Sequence, residues 1–504
     1  MTPASRGATT AERKTPDKAE PDVKAPESHA PETHAAENHA EGARTVTRPN
    51  GDRAEYNSAG KPTRLTTKDG DEARFDSRGQ IRAIHTQDST IRLGPRGGRT
   101  VVTERPDHTR LVSMGPHYGY VDHPVVRNGR PYLERTYVAG GRVYARAYPG
   151  YYYRGALYYH YVPAYTYAPA FYVWAVRPWH ARAKCNWNWG PWYSDYASYF
   201  TPYPDYDDAS LWLTDYVIAQ QLQGAYESRQ QAPPVSQPIA SVSGSDANAG
   251  STGAPAGSAP LSPEVKQAIA AEVTAQLAAE KNSAMNTQAA SGTSAPSGDV
   301  LPDALNPSER TFIADISLDE DTVDGGTCSV GAGDVLTRVD TSPNAGQKVD
   351  VIVRSSQKGD CAAGIHVAVS VSDLQDMANH FHEKVDDGVD NLAKNQAQSG
   401  MPPAPPSDPV QVADAQAKPD LDAQRLLHQQ QQSADQTEKN VQQSVNHLGA
   451  ISSRFVDRGT SAALAIEGGG LGGTRFADSA NEDAAILPSN SETQVRTRHK
   501  SSTP

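Results

Sequence analysis

Apolar and polar positions alternate along the first quarter of the chain: Leu65 follows Thr63, Ile81 and Ala83 flank Arg82, and Val101-Val102 closes the series. A period of two places alternate side chains on opposite faces of a strand, so this region predicts short β-strands. The strands recur. A shift of 19 residues lays Gly51 on Gly70, Asp52 on Asp71, Ala54 on Ala73, Tyr56 on Phe75, Asn57 on Asp76, Gly60 on Gly79 and Leu65 on Ile84. A weaker third unit keeps Gly98, and Arg105-Pro106-Asp107 returns 57 residues after Arg48-Pro49-Asn50, which is three periods. A fixed period of this length marks stacked supersecondary units. In each unit Tyr56-Asn57 or Phe75-Asp76 leads to a glycine three residues after the polar residue, which suits a turn at positive φ. Each unit therefore predicts one hairpin, and residues 45–115 a β-meander serving as a structural lead-in.

The pattern aromatic-Asp/Asn-x-x-Gly followed by an aliphatic resembles the bacterial YD (Rhs-type) repeat over about 60 residues, most closely in the first two units. Long arrays in that family wrap into β shells; three units imply no enclosure.

Residues 116–226 read as a Tyr/Trp-rich β region with a closing helix. Of the 23 tyrosines, 22 lie between Tyr118 and Tyr226, with all six tryptophans. Gly129-Arg130-Pro131-Tyr132 recurs as Gly141-Arg142-Val143-Tyr144, and Gly-Arg turns between Tyr/Val strands predict hairpins. From Gly155 to Val176 there is no Asp, Glu, Lys or Arg, but Pro163 and Pro169 interrupt the run and tyrosine hydroxyls need partners in hydrocarbon, so packing in a tyrosine-rich β core is expected and not a membrane span. The alternative is a surface docking on membrane, glycan or a partner, built from Tyr151, Tyr152, Tyr153, Arg154, Tyr158, Tyr159, Tyr161, Trp174 and Trp179. From Trp189 onward the chain is similar to a group of bacterial proteins carrying W-G-x-PWY, YFTPYP and LWLTDY segments, matched here by Trp189 to Tyr193, Tyr196, Tyr199 to Pro204, Tyr206, Leu211 to Tyr216 and Leu222 to Tyr226; this chain lacks the residue between Gly190 and Pro191. That group has no assigned activity, and the resemblance implies architecture only. A helix is expected from Ser210 as N-cap through Leu213, Val217 and Leu222 to about Tyr226, with Asp207 and Asp208 at the positive end of its dipole.

Residues 227–260 and 283–300 have linker composition. Between them, 261–282 predicts an amphipathic helix with Ser262 as N-cap, Pro263 at its first position and a stripe of Val265, Ile269, Val273 and Leu277, suited to packing on a neighbouring domain or on a second copy of the chain. Residues 301–394 predict a small five-stranded, SH3-like barrel followed by a helix. Its strands are expected over Thr311–Leu318, Thr327–Val330, Asp334–Val339, Lys348–Ser355 and Ile365–Val371, with Gly-rich turns between. Cys328 and Cys361 each sit beside a turn and are expected to form a disulfide, which leaves Cys185 odd. The helix carries Leu374, Met377, Phe381, Val385, Val389 and Leu392 on one stripe, and His380 and His382, two apart, make a poor metal pair. Residues 1–44 and 395–504 are expected to be mostly disordered, with a possible helix over 421–447; His29, His34 and His39 in the first segment are read as compositional and not as a metal site.

Composition fits this picture of a mainly β chain with a few helices and extensive disorder: 37% of residues are hydrophobic and 77 are Gly or Pro (40 and 37). The net charge of −12 is unevenly spread. Residues 43–184 hold 23 Lys/Arg against 11 Asp/Glu, and residues 301–400 hold 7 against 17, so the two halves are expected to attract one another within or between chains. No Cys-x-x-Cys, His-Glu-x-x-His, Gly-x-Ser-x-Gly or phosphate loop is present in the sequence, and Gly468 to Gly473 lacks the following Lys-Ser/Thr. No charged stretch followed by an apolar run opens the chain, so the protein is expected to stay in the cytoplasm, to leave by another route, or to start elsewhere than at this Met. The expectation is a non-enzymatic structural or adhesive protein, placed in the cell envelope or outside the cell by the disulfide, with no cofactor and no metal. Its expected partners are envelope polysaccharide or another envelope protein, with self-association through the 261–282 helix. The alternative is a binding module whose Arg/Tyr surface takes acidic glycan or anionic membrane, single-stranded nucleic acid being the weaker fit.

Overall fold

The computed structural model describes residues 44–231, 259–289, 301–395 and 400–460, apart from 78, 95–97, 116, 186, 188, 189 and 358–360. The expectations for residues 1–43, the linker cores 232–258 and 290–300, and residues 461–504 lie outside the described residues. One unit extends to His447; of the residues from Leu448 onward the structure describes the backbone to Thr460.

The architecture is mainly β. Twelve antiparallel strands follow in chain order, each hydrogen-bonded to the next: β1 Arg44–Thr47, β2 Arg53–Tyr56, β3 Pro62–Thr66, β4 Glu72–Phe75, β5 Ile81–His85, β6 Ser89–Leu93, β7 Arg99–Glu104, β8 Arg110–Ser113, β9 Tyr118–Arg127, β10 Arg130–Ala139, β11 Arg142–Tyr153 and β12 Ala156–Tyr159. The 19-residue period maps onto hairpins β2–β3 and β4–β5. Their turns share one geometry: the Asn57 and Asp76 side chains accept the N–H of Lys61 and Gln80, and Gly60 and Gly79 sit at φ 73° and 84°. A side chain held in this Asx geometry replaces a backbone partner. Arg48-Pro49-Asn50 and Arg105-Pro106-Asp107 form equivalent turns, with His108 (φ 64°) standing where the first has Gly51. Gly98 lies outside the positive-φ glycines, so the third unit keeps the hairpin without the glycine geometry of the first two.

The repeat also builds a row. Ala54, Leu65, Ala73, Ile84, Ile91 and Val101 are successive cross-strand neighbours from β2 to β7, and each is at most 1% exposed. Above the same face lies α6 (Ala423–Thr460), whose Leu426, Gln430 and Ala434 line a groove with Ile91, Val101 and Leu111. Ala423 and Leu427 pack on Leu111, Val121 and Val138. The helix expected at 421–447 is therefore a packed element of the fold.

The opposite side of the meander meets the second sheet and its helix. Six strands take the order β14-β17-β18-β19-β15-β16, all antiparallel: β14 Thr311–Ile313, β15 Leu318–Thr322, β16 Thr327–Val330, β17 Val335–Arg338, β18 Lys348–Ser355 and β19 His366–Ser370. The single strand expected over Thr311–Leu318 is two strands. At Ala314 the chain gives its N–H to Asp334 O and crosses the sheet, so β14 and β15 pair with different partners. Val371–Asn395 forms α5, with the whole expected stripe from Leu374 to Leu392 buried.

Between the two sheets in sequence lies a helical layer: α1 Pro169–Val176, α2 Trp192–Tyr196, α3 Ala209–Gln231 and α4 Pro263–Ala289. The expectation of β structure throughout 155–176 is corrected here. Only Ala156–Tyr159 and the two-residue β13 (Tyr165–Thr166, paired with β20, Val410–Gln411) are extended, and Pro169 at the first helical position starts α1. The cap of α3 also shifts: Asp208 accepts the N–H of Leu211 at 3.1 Å, and Ser210 donates its hydroxyl to that same carboxylate. On α4, Ser262 does cap, accepting from Val265 at 3.3 Å. Ile269, Val273 and Leu277 are buried inside this chain's own helical core, with Val265 packed against it and partly buried, so the stripe packs within the chain. Among the described residues no helix is long and apolar enough to cross a membrane.

Candidate functional site

The basic surplus of the meander and the acidic surplus of α5 and the second sheet meet along one seam. Arg82 and Arg74 clasp Asp319 of β15 at 2.7 and 3.1 Å. Arg110 and Arg135 reach Asp376 of α5 at 2.5 and 3.4 Å. Arg146 reaches Asp387 at 2.9 Å and Glu383 at 3.5 Å. The register explains the alignment: Arg110, Asp122, Arg135 and Arg146 are direct cross-strand neighbours on β8 to β11, so one face carries a continuous charged row. Arg135 is 1% exposed, donates to both oxygens of Asp122 at 2.6 and 2.9 Å, and lies 3.9 Å over the ring of Tyr120. Burial alone favours its neutral form, but Asp122 and the other surrounding charges outweigh that and hold the guanidinium firmly protonated. Asp376 is pushed up by burial and pulled further down by Arg135 and Arg110, ending below the ordinary carboxylate range.

Glu383 is another buried acid of the seam. Tyr137 donates to its Oε2 at 2.7 Å and Tyr148 to its Oε1. Burial opposes ionisation, yet His380 and Arg146 stabilise the anion and the carboxyl falls to about 2. Fixed tyrosine hydroxyls, a guanidinium and an imidazole around one carboxylate are groups that general acid–base chemistry employs. Here both carboxylate oxygens are engaged by protein donors, and the constellation works as a lock between β10, β11 and α5.

The sequence-derived surface residues are scattered over several places. Tyr151, Tyr153 and Tyr158 pack on the core of the second sheet, and Tyr158 is 7% exposed. Tyr161 is half-buried and donates to Asp386 Oδ2 at 2.5 Å, while the Tyr159 carbonyl accepts from Asn379 at 2.9 Å. Trp174 and Trp179 lie 5.6 Å apart against the helical core. Tyr152 is the ring among them that faces solvent, 61% exposed, beside its cross-strand partner Leu157. Arg154 is exposed at the adjoining turn and stacks on Tyr153 at 5.2 Å. The nine residues thus form no single surface, because alternation along β11 and β12 sends most of the rings inward.

Cys328 and Cys361 are joined by a disulfide, with a sequence separation of 33 residues. Cys185 lies outside this bridge, a half-buried thiol that burial and the nearby Asp215 push up to about 11. Among the described residues no group of three or more His, Cys, Asp or Glu is placed to hold a metal ion. Residues that sequence reasoning missed include Asp215 and Lys266, a buried pair at 2.7 Å that ties α3 to α4 with the ammonium 3.6 Å over the Tyr203 ring. Both sit inside stretches dominated by aromatics and alanines, which give no sign of a pair 51 residues apart. No protein-family model, no curated protein and no solved structure matches the chain.

Proposed function

We propose that this chain is a non-catalytic structural or adhesive component of the cell envelope or the extracellular space. The observation that carries the reading is the Cys328–Cys361 disulfide, since such bridges persist in oxidising compartments. The engagement of the seam's arginines by carboxylates of the same chain supports a role in cohesion. Kinship of the hairpin units with YD-type repeats, and of the second sheet with SH3-like barrels, belongs to the same proposal. It draws support from the matching Asx turns of the first two units and from the short strands joined by Gly-rich turns. Cell fractionation with non-reducing gels and maleimide labelling of the denatured, unreduced chain tests it. Protein in the envelope or medium that labels at Cys185 alone is expected; cytosolic protein with three reactive thiols would refute it.

A binding role is favoured by one local observation, the exposed Tyr152–Leu157 pair beside Arg154. Flat rings next to a cation suit an acidic polysaccharide. Retention on an acidic polysaccharide resin, lost in high salt and in Tyr152→Ala, is the expected result for that reading. Anionic vesicles and single-stranded nucleic acid serve as comparison arms, and no retention on any of them leaves the scaffold role alone.

A further inference from the structure

Asp215 of α3 and Lys266 of α4 meet inside the helical layer, the first side chain fully buried and the second 7% exposed. Lys266 Nζ stands 2.7 Å from Asp215 Oδ1. A second bond, to the Thr201 carbonyl at 2.9 Å, fixes the nitrogen, and the ring centres of Tyr203 and Phe200 lie 3.6 and 5.4 Å from it. The two oxygens of Asp215 are held differently. Oδ2 accepts from the Tyr203 backbone N–H at 2.6 Å and from the Tyr206 hydroxyl at 2.9 Å. The Trp187 indole N–H, 2.7 Å from the Tyr206 oxygen, orients that hydroxyl. Oδ1 has no donor other than Lys266 among the described residues. Burial of an ion pair costs desolvation that the attraction often fails to return. An uncharged link between the same groups escapes that cost.

We propose that Asp215 and Lys266 condense into an intramolecular amide, an isopeptide cross-link that ties α3 covalently to α4. One ammonium proton first passes to Oδ1, which leaves a neutral amine beside a carboxylic acid. The Nζ lone pair then attacks Cγ, and the π pair of the Cγ–Oδ2 bond moves onto Oδ2. The Tyr203 N–H and the Tyr206 hydroxyl already bond that oxygen, and fixed donors so placed stabilise a tetrahedral oxyanion. A second proton moves from Nζ to Oδ1, the Oδ2 pair returns to Cγ, the Cγ–Oδ1 bond breaks and water leaves. Ammonium plus carboxylate becomes amide plus one water, and nothing is oxidised or reduced. The product suits the same site. Its carbonyl oxygen keeps both donors of Oδ2, its N–H keeps the Thr201 carbonyl, and the oxygen lost is the one that only Lys266 approaches. Exclusion of water from the site protects the amide from hydrolysis. Burial pushes the Asp215 carboxyl up and the Lys266 ammonium down, and both shifts favour the neutral pair from which attack begins.

Mass spectrometry of the full chain tests the link, with the protein reduced and alkylated so that its disulfide does not enter the sum. Wild type is expected to weigh one water molecule less than the sequence between its measured termini. Trypsin cuts after Lys184 and Arg229, so Asp215 lies in the peptide that ends at Arg229, and Lys266 in the stretch that begins at Gln230. A branched species joining these two, uncut at Lys266, is expected, with fragment ions that place the bond between Asp215 and Lys266. Lys266→Met and Asp215→Ala are each expected at full calculated mass. Wild type at full mass, with the peptide ending at Lys266 recovered, would overturn the proposal. So would a missing water that persists in Lys266→Met or that maps to another residue. If neither variant folds, the wild-type mass and the branched peptide decide, since neither measurement needs a folded comparison.

Discussion

Removing the Cys328–Cys361 bridge perturbs one short loop and leaves the rest of the sequence intact. Its separation of 33 residues sets the chain entropy that the bridge withholds from the unfolded state. With the usual loop-closure relation this amounts to about 12 cal/mol/K, or about 4 kcal/mol at room temperature. Both sulfurs are buried, Cys361 fully and Cys328 to within 4%, so reduction also leaves two thiols in an apolar site without opening it to water. The substitution Cys328→Ala/Cys361→Ala removes the sulfurs and adds a packing loss on top of the entropy. The assay is urea unfolding followed by near-ultraviolet circular dichroism, oxidised against reduced, with the double variant as a third arm. At a slope of about 2–3 kcal/mol/M, the midpoint should fall by more than 1 M on reduction, and by at least as much in the double variant. Coincident midpoints for the oxidised and reduced chain would refute the reasoning, because the entropy term depends only on the span the bridge closes.

Three further outcomes follow from the packing and the electrostatics. Arg135→Met should cost about 3–5 kcal/mol in the same assay by leaving Asp122 and Asp376 buried with less compensation; the further change Asp122→Asn should recover part of that loss, and its failure to do so would count against the pairing. Gly119→Ala and Gly388→Ala should each lower the melting temperature, since a methyl group would stand 2.3 Å from Val112 O in the first and 2.5 Å from Leu213 Cδ2 in the second, whereas Gly129→Ala meets open space and bears only the strain of φ 78°. Alkylation of Cys185 at about pH 8 should run far slower than that of a free thiol, as the thiolate is the reacting form and this thiol titrates at about 11; a rate matching a model thiol would refute the burial argument.

The repeats and the charge asymmetry were the most legible parts of the chain. Turn chemistry is local, so Asn57-x-x-Gly60 and Asp76-x-x-Gly79 announce their geometry in four residues. The attraction between halves was readable as a sum of charges, but the pairing of Arg135 with Asp122 and Asp376 depends on register and on the docking of α5, which no local pattern encodes. The break of one expected strand into β14 and β15 was hidden because Ala314 to Ser317 contains no glycine or proline. The helix α6 was underestimated for a different reason. Where its stripe meets the sheet it presents Gln430 and Gln431, which donate to Val101 O, Leu111 O and the Ser113 hydroxyl, so the apolar period is interrupted at its centre. The aromatic surface misled in the opposite direction, since ring content cannot reveal which face of a strand turns inward.

The covering of the meander by α6 has a consequence for biosynthesis. Gln430 reaches carbonyls 319 and 329 residues earlier in the chain. At ordinary synthesis rates that stretch takes on the order of 15–60 s to emerge. Until α6 emerges, the face of the row from Ala54 to Val101 that it covers lacks that cover. Among the described residues α6 is the last helix, so synthesis cut short before residue 423 would leave the face it covers without its cover.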